Sequence, residues 1–324
     1  IKKMNNILIT SAGRRVSLLN GFISSLKKLN IKSDVFTTDL NPVDSSPTSH
    51  FAAKSFKIGF FSEPNYVDDL LKICLDNKVK IVVPTVDTEL LLLADAKLKF
   101  KKHGIHIIVS DSELVTTLDD KFRTNDFFNS LGIKTPKILN KDNLHFPVFL
   151  KPINGSNSKG IYKAENLKEI RPCDLDSENM MILNYIDNTI YDEYTIDLYY
   201  DKNSILKCAV PRIRLKVVGG ESNQGITKKN EVLSFVKEKF DFLKGAIGCL
   251  TLQVFSNKSN IQDIIGIEIN PRFGGGYPFS LNAGANFPEF ILREYILNEE
   301  IQFFNDWKDN CLNLRYDNEV VIND

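Results

Sequence analysis

Ile265-Gly266-Ile267-Glu268-Ile269-Asn270 alternates apolar residues with polar or small ones, and Pro271-Arg272-Phe273-Gly274-Gly275-Gly276 follows at once. A period of two is that of a β-strand, so Glu268 and Asn270 project from one face. Pro271 ends the ladder because it has no N–H to donate, and three glycines then let the backbone approach a neighbour or a ligand closely. An earlier run, Gly248 to Phe255, alternates in the same way, with Cys249, Thr251 and Gln253 opposite Leu250, Leu252 and Val254. If the chain turns between Asn257 and Asp263, Gln253 faces Glu268 across the hairpin. Gln253, Glu268 and Asn270 then offer oxygens around one point, a donor set suited to Mg²⁺, which completes its octahedron with water and phosphate oxygens. An exposed sheet face ending in a glycine loop would carry the same residues.

Composition narrows the partners. With 324 residues, 43% of them apolar, the chain is long enough for two or three domains with real cores. Forty-one basic and forty-one acidic residues cancel, without a basic block, which argues against nucleic acid or an anionic membrane as partner. Five cysteines lack C-x-x-C spacing and four histidines do not cluster, so a reducing compartment is expected and a zinc site is not. No apolar run approaches the roughly 20 residues of a membrane span, and a cytoplasmic location is expected. Met4 reads as the natural start, which leaves residues 1–3 outside the fold argument.

From Asn6 onward, short apolar runs alternate with helical patterns. Asn6 to Thr10 is a strand, Ser11-Ala12-Gly13-Arg14-Arg15 a turn, and Val16, Leu18, Leu19, Phe22, Ile23 and Leu26 mark a helix. Further strands are expected at Asp34 to Thr38, Lys80 to Val83 and His106 to Val109, with helices at Tyr66 to Asp76 and Thr88 to Lys102. Strands alternating with helices predict a parallel sheet covered on both faces. Asp39 stands where a dinucleotide fold places its ribose carboxylate, but one glycine where three are wanted disfavours NAD. Asp87 or Thr88 reads first as a helix N-cap. A boundary is expected near Ser110.

Beyond it the texture changes. Pro147 to Pro152 is a buried-looking strand that delivers Lys151 to a loop of small residues ending at Gly160. Such a loop can offer N–H groups and hydroxyls to phosphates, or be a plain hairpin turn. Met180 to Ile186 is another apolar run, and Glu193 sits where the chain re-enters a sheet, as a ribose ligand or a solvated edge acid. Arg212, Arg214 and Lys216 recur at period two, so three cations are expected on one strand face, opposite a phosphate or carboxylate ligand or along a solvated edge. Gly219-Gly220-Glu221 reads as a mobile loop, Lys228 to Phe242 as an amphipathic helix, and Asn286 to Leu297 as a closing helix. The residues from Ile301 onward are assigned to packing.

In this order the pieces resemble the ATP-grasp superfamily, and most closely the ATP-grasp module of the carbamoyl phosphate synthase large subunit. The likeness runs from about Asn5 to Leu297. It rests on Phe149-Leu150-Lys151-Pro152 with the loop to Gly160, Glu193-Tyr194-Thr195, Gln253, and Glu268-Ile269-Asn270-Pro271-Arg272. The resemblance implies an α/β and α+β chain: a parallel-sheet pre-ATP-grasp domain over residues 1–110, then a two-lobed ATP-grasp fold over 111–306. The small lid lobe would span about 135–186, with a tail at 307–324. It implies Lys121 and Lys151 on phosphates or adenine; Gly155, Ser156, Ser158 and Gly160 over the phosphates; Asn184, Tyr185 and Ile186 at the adenine hinge; and Glu193 on the ribose. Gln253, Glu268 and Asn270 would bind Mg²⁺, or Mn²⁺ in its place, with Arg272 on the transferring phosphoryl group. Many members carry Glu where this chain has Asn184. A full carbamoyl phosphate synthase carries the module twice and works with a glutaminase; this chain has one copy.

The expected chemistry is that of a carboxylate–amine ligase: ATP phosphorylates a small-molecule carboxylate, and an amine then displaces phosphate. Arg212 and Arg214 are the expected grip on the carboxylate or acyl phosphate. A homodimer is compatible with this reading. The competing readings are a nucleotide-binding regulatory protein that kept the fold without catalysis, against which Glu268, Asn270 and Arg272 argue, and an NAD(P)-dependent oxidoreductase.

Overall fold

The computed structural model describes residues 5–153 and 160–322. Gly155, Ser156 and Ser158 lie outside the described residues. The chain opens with β1 (Asn6–Ile9), α1 (Val16–Lys28), β2 (Val35–Asp39), β3 (Lys54–Lys57), α2 (Tyr66–Asp76), β4 (Val79–Val83), α3 (Asp87–Lys101) and β5 (His106–Ile107). The five strands form a parallel sheet in the order β3-β2-β1-β4-β5. Helices cover both faces, which is why the central strands are apolar at consecutive positions. Ile7 and Ile9 pack with Leu19 and Phe22 of α1, while Leu8 and Val82 pack with Leu70 of α2 and Leu93 of α3 on the other side.

Two helices, α4 (Ser112–Asp119) and α5 (Lys121–Ser130), lead to a small antiparallel sheet. Its elements are β6 (Val148–Pro152), β7 (Tyr162–Ala164), α6 (Pro172–Leu175) and β8 (Met180–Asn184), with strand order β7-β6-β8. The remainder supplies β9 (Tyr191–Tyr200), β10 (Leu206–Val218), β11 (Glu221–Thr227), α7 (Glu231–Phe240), β12 (Gly248–Asn257), β13 (Ile264–Asn270), α8 (Tyr277–Asn282), α9 (Phe287–Leu292) and β14 (Leu312–Leu314). These six strands make an antiparallel sheet ordered β13-β12-β9-β10-β11-β14.

Four strands escape the sequence pattern. β3, β7, β11 and β14 are too short or carry too few apolar residues in alternation to announce themselves. Gly219 and Gly220, expected in a mobile loop, instead form a two-residue hairpin turn. Val218 pairs with Glu221 across it, and both glycines take positive φ, +56° and +79°. That backbone twist matches the twist of the flanking strands, and glycine adopts it without strain.

The parallel sheet is fastened to the large antiparallel sheet through α1 and α9. Ser25 and Asn286 exchange side-chain hydrogen bonds, and Lys28 Nζ lies 2.8 Å from Glu289 Oε2. Gly21 lets the helices close, since a Cβ there would fall 3.1 Å from Leu281 Cδ2 and 3.3 Å from Pro288 Cγ. One continuous core therefore runs from Ile7 and Phe22 to Tyr199, Phe287 and Phe290. At the carboxyl end of β4, Asp87 then pairs with Arg272 of the loop after β13.

Candidate active site

The β12–β13 hairpin has Gln253 directly opposite Glu268 and Thr251 opposite Asn270. Gln253 Nε2 donates to Glu268 Oε1 at 2.7 Å, and Asn270 Nδ2 donates to the same oxygen at 3.1 Å. Between Gln253 and Val254 the register shifts, and Gly266 then lies against Phe128, where a Cβ would fall 2.8 Å from Cδ1. Lys151 reaches this point from the small sheet, with Nζ 3.3 Å from Glu268 Oε2. Burial pushes the Glu268 carboxyl up, but Lys151, Asn270 and Arg272 outweigh it and hold the group below the ordinary glutamate range.

Lys121 opens α5, whose N-terminus is capped by Asp120 accepting from the N–H groups of Phe122 and Arg123. Its Nζ donates to the carbonyls of Pro152 and Ile153, each at 2.6 Å. Burial and the neighbouring Lys151 lower its pKa against the pull of Glu268. Both lysines therefore stand at the carboxyl end of β6. Gly160 resumes the described chain at φ +75°. At the end of β8, Asn184 is tied to the incoming segment: its N–H donates to Lys137 O at 3.0 Å, and its side-chain oxygen accepts from Lys137 N. Tyr185 N donates to Pro147 O at 3.4 Å, Lys163 Nζ lies 4.2 Å from the Tyr185 ring centroid, and Ile186 follows half-buried.

The cationic face expected on β10 divides. Arg214 belongs to the cleft: it pairs with Glu193 of β9, its Nη1 lies 3.3 Å from Gln253 Oε1, and its Nη2 donates to Gly220 O at 2.8 Å. Arg212 does not. It is 1% exposed and its Nε donates to Asp197 Oδ2 at 3.0 Å, an oxygen that also accepts from Ser280 Oγ at 2.5 Å. Its guanidinium sits beneath Gly276, where a Cβ would fall 2.8 Å from Nη1. Helix α8 covers this part of β10, so Arg212 supports the glycine loop from inside and does not face the cleft. Lys216 lies past a register shift and is exposed.

Arg272 Nη2 donates to Asn270 Oδ1 at 3.4 Å and to Asp87 Oδ2 at 2.7 Å. Asp87 is the first residue of α3, whose N-cap position is Val86, so its carboxylate leaves the helix and crosses to β13. Asp39 is likewise engaged: it accepts from Gly13 N at 2.8 Å and from Ser46 Oγ at 3.0 Å, closing the first turn on itself. Two arginines escaped the sequence reading. Arg15 Nη2 donates to Thr85 O at 3.2 Å, and Arg315 donates to Glu221 Oε2 at 2.5 Å and to the carbonyl of Gly275. The adjacent Arg14 and Arg15 after the first strand were the available signal; for Arg315 there was none.

Among the described residues no group of three or more His, Cys, Asp or Glu side chains could hold a metal. The candidate donors are therefore one carboxylate and two amides. Each amide turns its nitrogen to Glu268 and its oxygen to an arginine, and half a turn of either side chain presents oxygen to the same point. One carboxylate with neutral oxygens fits Mg²⁺ or Mn²⁺, since nucleotide phosphates ordinarily complete the shell.

A two-lobed grip, with Lys151 on a small sheet and Lys121 beside it facing an oxygen-lined large sheet, defines the class. Residues 7–108 match the family model of the PylC-like N-terminal domain, and residues 176–312 match that of ATP-grasp in the biosynthetic pathway with Ter operon. Residues 176–312 thus carry an ATP-grasp domain, preceded by a PylC-like N-terminal domain. Over 122 residues it is 31% identical to a carbamoyl-phosphate synthase of Methanobrevibacter smithii, a match covering 34% of this chain and 33% of that relative. The chain thus spans about a third of the curated relative it matches. Among solved structures, N5-carboxyaminoimidazole synthetase of Staphylococcus aureus with ADP has a TM-score of 0.68 at 17% identity, covering 97% of this chain and 82% of its own. The L-amino acid ligase of Bacillus licheniformis has a TM-score of 0.65 at 16% identity, covering 91% and 75%. The biotin carboxylase domain of the Hydrogenobacter thermophilus 2-oxoglutarate carboxylase has a TM-score of 0.69 at 15% identity, covering 96% and 73%. At these identities the structures establish the fold. No helix among the described residues is long and apolar enough to cross a membrane.

Proposed function

We propose that this protein is an ATP-dependent ligase that activates a small-molecule carboxylate as an acyl phosphate and couples it to an amine. The observation that carries the reading is the approach of Lys151, from the small sheet, to Glu268 on the large one, with Gln253 and Asn270 around it. Groups from two lobes meet where a triphosphate would lie between them. A carboxylate is too poor an electrophile for direct amination. Its oxygen therefore attacks the γ-phosphorus and ADP leaves; the amine then attacks the acyl carbon, loses a proton, and inorganic phosphate departs.

In this reading Lys121 and Lys151 balance phosphate charge, Arg272 faces the transferring phosphoryl group, Arg214 lies beside the cleft, and Glu193 takes the ribose. Asn184, Tyr185 and Ile186 form the hinge against adenine. Mg²⁺ on Glu268, with oxygens of Gln253 and Asn270, would offset charge on the phosphates when bound. Arg212 leaves the list of groups on the substrate because it is buried. The division into residues 1–110, 111–306 and a tail is retained as part of the proposal, with the qualification that the tail carries Arg315.

Phosphate release with Mg-ATP across a panel of carboxylates and amines tests the activity. Glu268→Ala is expected to lower turnover by about 100-fold or more in a chain that still folds and melts cooperatively. Unimpaired amine-dependent turnover in that variant would refute the metal assignment.

A further inference from the structure

The order β3-β2-β1-β4-β5 means that the chain winds one way from β1 and the other way through β4. Loops leaving two such neighbours diverge and open a crevice at the carboxyl ends of the strands, where open α/β sheets take their ligands. Here the β1 loop brings Arg15 and the β4 loop brings Thr85 and Asp87, and Arg15 already bonds the Thr85 carbonyl. Facing them are Arg272, on Asp87, and Arg315 of the tail, on Glu221 and the Gly275 carbonyl.

Three arginines from distant parts of the chain thus meet Asp87 and Glu221, with the exposed Arg14 beside them and with Glu268, near Arg272, already paired to Lys151. Burial pushes the Arg15 guanidinium down to about 10, and Arg272 and Arg315 push the same way against Glu221 and Asp87. Burial also pushes the Glu221 carboxyl up, but Arg315, Arg15 and Arg14 hold it below its ordinary range. Arg272 Nε is buried with no hydrogen-bond partner among the described residues. Guanidinium groups gathered this way, with a buried donor unsatisfied, are stabilised by one further anion among them.

We propose that Arg15, Arg272 and Arg315 form the binding site for a carboxylate of the small-molecule substrate, in the crevice between β1 and β4. The inference rests on the ligase reading, which puts the nucleotide phosphates on the other side of Asn270, with Arg272 between the two. It makes the opening turn and the C-terminal tail, both outside the nucleotide grip, the selectors of an anionic substrate. A neutral analogue would leave the arginines without their counter-charge.

The test uses the full chain saturated with Mg-ADP. Melting temperature is followed against succinate and L-glutamate, with succinamide as the neutral control, for the native protein, Arg15→Gln, Arg315→Gln and the corresponding lysine variants. At least one of the two acids should raise the melting temperature while succinamide does not. Each glutamine variant should weaken that acid's apparent affinity about 10-fold or more, lysine should recover part of it, and the Mg-ADP shift should stay unchanged. The lysine variants keep the charge and report on the site should a glutamine variant fail to fold. An acid shift equal in all variants, an acid shift seen without Mg-ADP but lost at its saturation, or no shift with either acid would overturn the proposal. Failure of Mg-ADP itself to shift the native protein would instead sink the ligase reading.

Discussion

Arg212 and Arg214 stand two residues apart on β10 and have opposite surroundings. Arg212 is sealed under α8 with Asp197 as its counter-ion, whereas Arg214 lies between Glu193 and Gln253 at the cleft. Period two could show that both share a face, but the cover that α8 puts over half of that face comes from residues 277–282, which no spacing within β10 reveals. Arg212→Ala should therefore act on folding. Removing one partner of a buried pair leaves Asp197 uncompensated and is expected to cost about 3–5 kcal/mol, read as a lower urea midpoint. A variant of native stability that had merely lost activity would contradict the packing role. Glu268 was legible for the converse reason: its partner Gln253 lies on the next strand of a hairpin, so local alternation alone brings the two together.

Among elements, β12 shows how a strand is set in place at its first residue. Gly248 has φ +74°, and a Cβ would fall 2.5 Å from Ile108 Cγ2. Gly248→Ala combines a disfavoured backbone with an overpacked contact, and about 1–3 kcal/mol of destabilisation is expected by denaturant melting. The α1–α9 joint carries a pH signature through Glu289. Burial pushes its carboxyl up, but Lys28 and Arg293 overcome this and lower its pKa below the ordinary 4.5. Stabilisation from a lowered acid is present above 4.5 and lost as pH falls through the folded value. Glu289→Gln should thus be less stable than the native chain at pH 7, by about 1 kcal/mol, with the gap narrowing below pH 4.5. Melting temperatures of both proteins across that range check the sign. Elements with strong apolar periodicity, such as α1, α2 and β4, were readable; β3, β7, β11 and β14 were not, because a short strand gains its stability from neighbours distant in sequence.

At the scale of the whole molecule, the opening parallel sheet followed from strand–helix alternation written along the chain, whereas the two lobes after it followed from the resemblance of a few motifs in order. The contacts that join its parts were hidden. Ser25 and Asn286 are 261 residues apart, Asp87 and Arg272 are 185 apart, and Arg315 meets Gly275 from a segment that reads as plain packing. Polar pairs at such separations leave no periodic trace, since each is a single residue in an unremarkable context. The first two are also contacts that set the position of the first sheet against the large one.

The Asp87–Arg272 bond has a practical meaning for anyone building hybrids of such proteins. A chimera that kept residues 111–324 but borrowed an opening sheet with no acid at the position of Asp87 would lose the carboxylate that orients Arg272. Such a graft should still take up nucleotide, yet release far less phosphate per molecule until an acidic residue is restored at the foot of the third helix. Swapping that one side chain back in, and assaying the repaired hybrid beside the unrepaired one, would show whether the two halves work as a single instrument.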